Sequence, residues 1–325
     1  MIEISSANIR MWSMLGSAGT FGIAALELPR LNEDVLVLTA DLRNFSGLDR
    51  FSTTFPDKFI NVGIAEQNMV GMAAGLQNEG FSTFATTYST FASARSADSV
   101  RVNMGYMELG IKLIGMGAGF SVGLLGATHM GIDDIGIMRS IPNLTIVSPA
   151  DCTETVKAVI ALASFTGPVY LRLGGGVPHA VVYKNDYEFS IGKGIQLRSG
   201  TDATIVATGA VVAQSLEAAK QLEVEGYSVG LINMHTIKPL DTDLLDSVLA
   251  SSDLIVTVEE HNVIGGLGSA VAEHLGKKKN GIAQLSLGIM DSFPHPGDYE
   301  YLLDQAGLTA PKIASSIRKH LESQP

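Results

Sequence analysis

The chain has a single cysteine, Cys152, so no internal disulfide can form. Charge is scarce as well. Asp, Glu, Lys and Arg make up 17% of the 325 residues, against about 25% in an ordinary soluble protein. Basic residues are outnumbered 22 to 33, the net charge is −11, and no basic cluster exceeds the three lysines 277–279. Nucleic-acid phosphate is therefore excluded as the natural ligand. The N-terminus carries Glu3 and no apolar stretch of the signal-peptide kind, so a cytoplasmic location is expected. Apolar residues and glycine are abundant: 46% of the chain is hydrophobic and 35 residues are glycine. That composition excludes disorder. So little charge leaves much of the surface to be buried against other subunits, and an obligate oligomer is expected. Residues 113–132 carry no formal charge and are long enough to span a bilayer. Six glycines with Ser121, Thr128 and His129 make a poor helix, however, and Lys112 and Asp133 close the stretch tightly. A buried strand running into a glycine-rich active-site loop is the expected structure.

Strand-like and helix-like runs alternate through most of the chain, which predicts an α/β protein with two open, mostly parallel sheets flanked by helices. Residues 35–39, 59–62, 82–86, 111–116, 142–147 and 169–173 read as strands, and 64–77, 91–104 and 153–164 as helices, the last capped by Asp151. Gly174-Gly175-Gly176 and the aperiodic stretch after it mark a linker. The expected division is a first domain over 1–176, a linker over 177–191 and a smaller domain over 192–325. In the second domain, strands at 203–207, 228–232, 254–258 and 282–287 alternate with helices at 211–225, 244–250 and 265–275.

Three segments could carry chemistry. In Gly63-Ile64-Ala65-Glu66-Gln67-Asn68-Met69, Glu66 stands at the start of a helix that follows a strand, the edge where open α/β sheets place ligands. Taken alone, it reads first as an acid favoured by the helix dipole. Thr87-Tyr88-Ser89-Thr90-Phe91 puts two aromatics three apart after a strand, either as core or as a ligand platform. Gly123-Leu124-Leu125-Gly126-Ala127-Thr128-His129 puts a lone histidine in a glycine-rich loop, where a structural role is common.

In this order and spacing the segments resemble the pyrimidine-binding half of the thiamine-diphosphate transketolases, and also deoxyxylulose-phosphate synthase. Beyond the linker, Gly192-Lys193-Gly194-Ile195, Asn233-Met234-His235-Thr236-Ile237-Lys238-Pro239 and Glu259-Glu260-His261-Asn262-Val263-Ile264-Gly265-Gly266-Leu267-Gly268 look like the C-terminal domain of split transketolases. A full transketolase also carries an N-terminal domain in which Gly-Asp-Gly and a downstream Asn hold magnesium and the diphosphate. No Gly-Asp-Gly occurs here. The resemblance therefore implies the C-terminal subunit of a split transketolase, with thiamine diphosphate as cofactor and the Mg2+ ligands on an N-terminal partner subunit. Two copies of each chain would form a heterotetramer, each cofactor lying between unlike chains.

The resemblance also implies roles. Glu66 matches the carboxyl that hydrogen-bonds a nitrogen of the aminopyrimidine, in a pocket dry enough to favour its protonated form. Phe91 matches the aromatic stacked on that ring and Tyr88 a neighbouring pocket residue, although the arginine that follows, Arg95, sits one place later than in the synthase pattern. Asp41 and Leu42 match a pair near the thiazolium. His129 matches a histidine that contacts donor-sugar hydroxyls and assists proton transfer. Three positions depart from the family pattern: Leu125 replaces an Asp that selects hydroxyl configuration, Gly117 replaces a phosphate-binding His, and Gly175 replaces a phosphate-binding Arg. Phosphate contacts would then fall to Arg10, Arg43, Arg172 or the partner chain. The expected donor is accordingly atypical, 6-deoxy-6-sulfofructose or branched apulose phosphate, with xylulose 5-phosphate as the conservative alternative. The β subunit of a 2-oxo acid dehydrogenase is the competing enzyme reading. Its glutamate is usually followed by Gln-Gly, whereas Gln67-Asn68 follows here. A non-catalytic subunit of the same fold is the third. Gly266-Leu267-Gly268 imitates a dinucleotide fingerprint without its third glycine, and no metal is assigned to Glu259, Glu260 and His261.

Overall fold

The computed structural model describes residues 2–278 and 281–323, so Lys279 of the lysine triplet lies outside the described residues. The first half of the chain supplies six strands: β1 (Val35–Thr39), β2 (Phe59–Asn61), β3 (Ser82–Tyr88), β4 (Lys112–Ala118), β5 (Thr145–Val147) and β6 (Val169–Gly174). Its helices are α1 (Ser6–Ala25), α2 (Leu28–Leu31), α3 (Asp49–Thr54), α4 (Glu66–Asn78), α5 (Ala97–Val100), α6 (Asp134–Arg139) and α7 (Cys152–Leu162). The second half runs β7 (Ile195–Arg198), β8 (Ala203–Thr208), α8 (Val211–Val224), β9 (Val229–Asn233), β10 (Thr236–Lys238), α9 (Thr242–Leu249) and β11 (Leu254–Asn262). It closes with α10 (Leu267–Leu275), β12 (Ala283–Ile289), α11 (Tyr299–Gln305) and α12 (Ala310–Ser323).

The first sheet has the order β10-β5-β6-β4-β3-β1-β2 and the second β12-β11-β8-β9-β7. Only β10 and β7 run antiparallel to their neighbours. Central strands such as β1, β4 and β8 are buried along their whole length, which explains their predominantly apolar sequences. Alternate residues of β1 serve the two faces of the sheet. Val35 and Val37 pack with Trp12 and Phe21 of α1 and Val156 and Val159 of α7, whereas Leu36 and Leu38 pack with Met69, Val70 and Ala73 of α4.

Every strand expected from the sequence is present. Other elements were not expected, among them α1, β7, α11 and α12, and two differences bear on the site and the domain contact. Residues 91–104 do not form one helix; wide turns closed i→i+5 at Phe91–Arg95 and Arg101–Tyr106 flank the single turn α5. β10 was not legible as a strand, because three residues pairing with β5 across the domain division have no local signal of their own. Between β6 and β7 there is no regular element, but the segment is firmly anchored. The backbone N–H groups of Val182 and Tyr183 both donate to Asp151 Oδ2 at 2.8 Å, while Asp151 Oδ1 caps α7 through the N–H of Glu154 at 2.9 Å. Among the described residues no helix is long and apolar enough to cross a membrane. The uncharged stretch 113–132 is the rest of β4 followed by tight turns.

Candidate active site

The parallel neighbours β2, β1, β3 and β4 end on one edge of the sheet, and the segments after them carry most of the candidate residues. Asn61, the last residue of β2, ties two of these segments together. Its Oδ1 accepts from the N–H groups of Asp41 (3.1 Å) and Gly63 (3.0 Å), and its Nδ2 donates to Asp41 Oδ1 at 3.0 Å. Asp41 is thereby held at φ 59°, an uncommon conformation for a residue with a side chain. Asp41, Leu42, Arg43, Asn44, Phe45 and Phe59 with Asn61 line a cavity of about 520 Å³. Arg43 lies at its rim, half-exposed, with Nε 3.2 Å from Asp49.

Glu66 opens α4 and is only 4% exposed. Its Oε1 accepts from Arg95 Nη1 at 2.7 Å, and Oε2 has no hydrogen-bond partner among the described residues. Beside it lies a cluster of rings. Tyr88 ends β3, and its ring centroid is 5.8 Å from Phe91, 5.4 Å from His129 and 4.6 Å from Phe45. Phe91 and His129 are 5.3 Å apart in an edge-on arrangement. Burial raises the Tyr88 phenol above its ordinary pKa. His129 Nδ1 pairs with Thr128 Oγ1 at 2.9 Å, leaving Nε2 without a protein partner among the described residues. The structure thus brings Glu66, Tyr88, Phe91 and His129 together through Arg95, whose guanidinium sits 3.9 Å from the Phe91 centroid. Phe45 and Asn61 belong to the same edge and were missed in the sequence. Their only local signal is position at the end of a strand or in the loop after one.

Two arginines are placed elsewhere. Arg10 is exposed on α1, the helix on the opposite face of the sheet from α4, with Ser6, Met11 and Met14 as neighbours. Arg172, expected among the phosphate contacts, sits in a buried network. At 4% exposure, its Nε donates to both oxygens of Asp134 (2.9 and 3.1 Å), and its Nη2 donates to the carbonyls of Gly131 and Glu260 (2.9 Å each). Two of its three nitrogens are thus committed to internal partners.

The look-alike sites resolve into structural roles. Glu259 turns its carboxylate onto the start of α10, accepting from the N–H groups of Leu267 and Gly268 at 2.7 Å each. It fills the position a dinucleotide phosphate would need. A Cβ on Gly266 would lie 1.8 Å from Glu259 Oε2, so this glycine makes room for an internal carboxylate rather than for a ligand. Burial pushes Glu259 up to about 7 and His261 down to about 4. Glu260 accepts from Phe120 N–H at 2.5 Å and from the Tyr299 hydroxyl at 2.7 Å. Among the described residues no group of three or more His, Cys, Asp or Glu could hold a metal.

A buried carboxylate joined through Arg95 to clustered rings lies at the carboxyl edge of a parallel sheet, the edge where α/β proteins place ligands. Comparison with known proteins supplies the family. Residues 18–175 match the transketolase pyrimidine-binding domain and 192–313 the transketolase C-terminal domain. A putative transketolase C-terminal section from Methanocaldococcus jannaschii is 39% identical over 306 residues, covering 94% of this chain and 96% of that protein. A 6-deoxy-6-sulfo-D-fructose transketolase subunit from a Clostridium species is 38% identical (91% and 92% covered). An apulose-4-phosphate transketolase subunit from Phocaeicola vulgatus is 35% identical (91% and 96% covered). Among solved structures, a split-gene transketolase described as an inactive β4 tetramer superposes with a TM-score of 0.84 at 37% identity, over 95% of this chain and 99% of that one. The chain belongs to the transketolase family and corresponds to the C-terminal section of a split transketolase. These relatives do not favour the 2-oxo acid dehydrogenase reading.

Proposed function

We propose that this chain is the pyrimidine-side subunit of a two-chain transketolase, moving a two-carbon ketol unit from a ketose donor to an aldose acceptor. The observation that carries the proposal is the buried Glu66, joined through Arg95 to the ring of Phe91, which itself packs against Tyr88 and His129. These residues fit the aminopyrimidine end of thiamine diphosphate: a carboxylate for a ring nitrogen and an aromatic face for the ring. When bound, that cofactor supplies the nucleophilic carbon and the electron sink that side chains lack. Glu66 holds a proton against the ring nitrogen, and Phe91 and Tyr88 exclude water. Asp41 and Leu42 shape the adjoining cavity toward the thiazolium end. His129, through its unpaired Nε2, moves a proton at a donor-sugar hydroxyl.

In this reading the magnesium and diphosphate ligands lie on an N-terminal partner subunit. The word "subunit" in the names of two relatives, and the inactivity ascribed to the β4 tetramer of a third, support the same division of labour. Two copies of each chain are the assembly in this reading. Its limits within the chain are 1–176 and 192–325, joined by the irregular segment 177–191. The lone, buried and unpaired Cys152 supports a reducing, cytoplasmic setting.

The donor in this reading is sulfofructose or apulose phosphate, in keeping with the relatives' names, with Arg43 as the chain's own candidate contact. The test of the site is Glu66→Gln in the reconstituted complex. Because an amide cannot exchange the required proton, deuterium exchange at C2 of the bound cofactor slows by orders of magnitude, about 3–5 kcal/mol of barrier. An unchanged exchange rate would return Glu66 to the role of a helix-start acid.

A further inference from the structure

Arg95 touches both residues on which the proposed function rests. Its Nη1 is 2.7 Å from Glu66 Oε1, its guanidinium carbon is 3.9 Å from the Phe91 centroid, and its own carbonyl accepts from Gln67 Nε2 at 2.8 Å. One side chain therefore spans from the first turn of α4 to the segment after β3. Phe91 and Arg95 lie four residues apart within the wide turn Phe91–Arg95, a spacing that puts both side chains on one face. Attachment points stay open: Glu66 Oε2 has no hydrogen-bond partner among the described residues, and Phe91 remains partly exposed although Arg95, Tyr88 and His129 pack on it.

We propose that Arg95 is a positioning residue for the cofactor, acting through Glu66 and Phe91. By holding Oε1 it fixes the rotation of the carboxylate, so that Oε2 is the oxygen presented to the ring nitrogen. By lying against one face of Phe91 it fixes the plane on which the aminopyrimidine stacks. A planar, permanently charged fork can do both at once, and a lysine can supply only the charge. This inference rests on the reading of Glu66 and Phe91 given above.

The test uses the reconstituted complex and two readouts, thiamine diphosphate affinity by titration calorimetry and C2 deuterium exchange at saturating cofactor. Arg95→Met keeps an apolar stem over the ring but loses the charge and the fork. The expected result is an affinity weaker by about 10-fold and exchange slower by about 10- to 100-fold, the scale of one charge-assisted hydrogen bond and one cation–π contact. Arg95→Lys recovers exchange, which depends on the charge at Glu66, more than it recovers affinity, which depends on the stack. Because Arg95 acts through Glu66, the double variant Glu66→Gln/Arg95→Met exchanges no more slowly than Glu66→Gln alone. Thermal unfolding of each single variant shows that the chain is folded. A folded Arg95→Met or Arg95→Lys with wild-type affinity and exchange overturns the proposal, and so does a double variant in which the two losses multiply. If Glu66→Gln itself leaves exchange unchanged, the assignment of Glu66 has failed. If Glu66→Gln slows exchange and Arg95→Met does not, only the inference about Arg95 has failed.

Discussion

Replacing Arg172 with Met separates a structural arginine from a substrate arginine. The side chain is 4% exposed and faces Asp134, which is fully buried. Its loss leaves the Asp134 carboxylate with the Tyr170 hydroxyl at 2.7 Å as its remaining close donor, and removes one donor from each of two buried carbonyls, that of Glu260 and that of Gly131, which keeps the N–H of Gly119. A buried charge stripped of its partner costs about 3–5 kcal/mol. The lost hydrogen bonds to the carbonyls add about 1 kcal/mol each. The total is a large part of the 5–15 kcal/mol by which a folded domain is typically stable, so Arg172→Met should be partly unfolded or strongly heat-labile. Urea unfolding at pH 7, followed by far-ultraviolet circular dichroism, measures the loss. Adding Asp134→Asn to Arg172→Met should restore about half of it, since the stranded charge is the larger part of the cost. The network also joins β6, the turn at Gly131 and β11 of the second unit, so the damage should lower kcat equally for phosphorylated and sulfonated donors. Unfolding within about 0.5 kcal/mol of wild type, with KM raised for a phosphorylated donor alone, would refute this reasoning and make Arg172 a substrate contact.

The chain on its own should bind thiamine diphosphate weakly and turn nothing over, and calorimetry and assay after mixing with the N-terminal subunit should restore both; turnover by the single purified chain would defeat the two-chain reading. His235 is buried with Nε2 unpartnered, and burial holds it at about 4 against an ordinary 6.5 despite the nearby Asp241. It remains neutral in the fold while the unfolded chain takes up a proton, so stability present above pH 6.5 is lost as pH falls toward 4. His235→Gln should shrink the difference in unfolding free energy between pH 7 and pH 5 by about 2 kcal/mol, and an unchanged difference rules this out. Comparison of kcat/KM for sulfofructose, apulose phosphate and xylulose 5-phosphate on the complex should favour one of the first two, and a clear preference for xylulose 5-phosphate defeats the donor assignment alone.

The sheets could be read from the sequence because their information is local. A central parallel strand such as Val35–Thr39 is buried on both faces and must be apolar throughout. The cap Asp151 announces α7 three residues before its first capped N–H. β10 is different, since its partner β5 lies about ninety residues earlier and its pairing holds the second unit to the first sheet. The wide turns at Phe91–Arg95 and Arg101–Tyr106 were hidden for another reason: serine- and alanine-rich sequence supports an α turn as readily, and packing decides which forms.

The site was legible as separate residues, whereas its electrostatics were not. Glu66, Tyr88, Phe91 and His129 converge because strands β2, β3 and β4 end on one edge, an outcome of topology that strand order alone foretells. Arg172 stood beside Arg10 and Arg43 as a candidate phosphate contact, and only the fold shows Asp134 and two carbonyls around it. The glycines at the departing positions carry more meaning in three dimensions than in sequence. Gly117 has φ +64°, and a Cβ there would lie 3.2 Å from Tyr88 Cδ1 and 3.1 Å from Val122. Gly175 has φ +99°, and a Cβ there would lie 2.7 Å from the ring of His179. Left-handed backbone costs a residue with a side chain about 1–2 kcal/mol, so a histidine or arginine at either position would be strained before it met any ligand. A side chain at either position therefore meets an unfavourable backbone and close neighbours in this fold. Gly117→His should accordingly lower stability, measured by urea unfolding, without improving kcat/KM for xylulose 5-phosphate. A stable variant with improved use of that donor would show that the loss of the family's histidine is a single reversible change, and that the backbone does not oppose it.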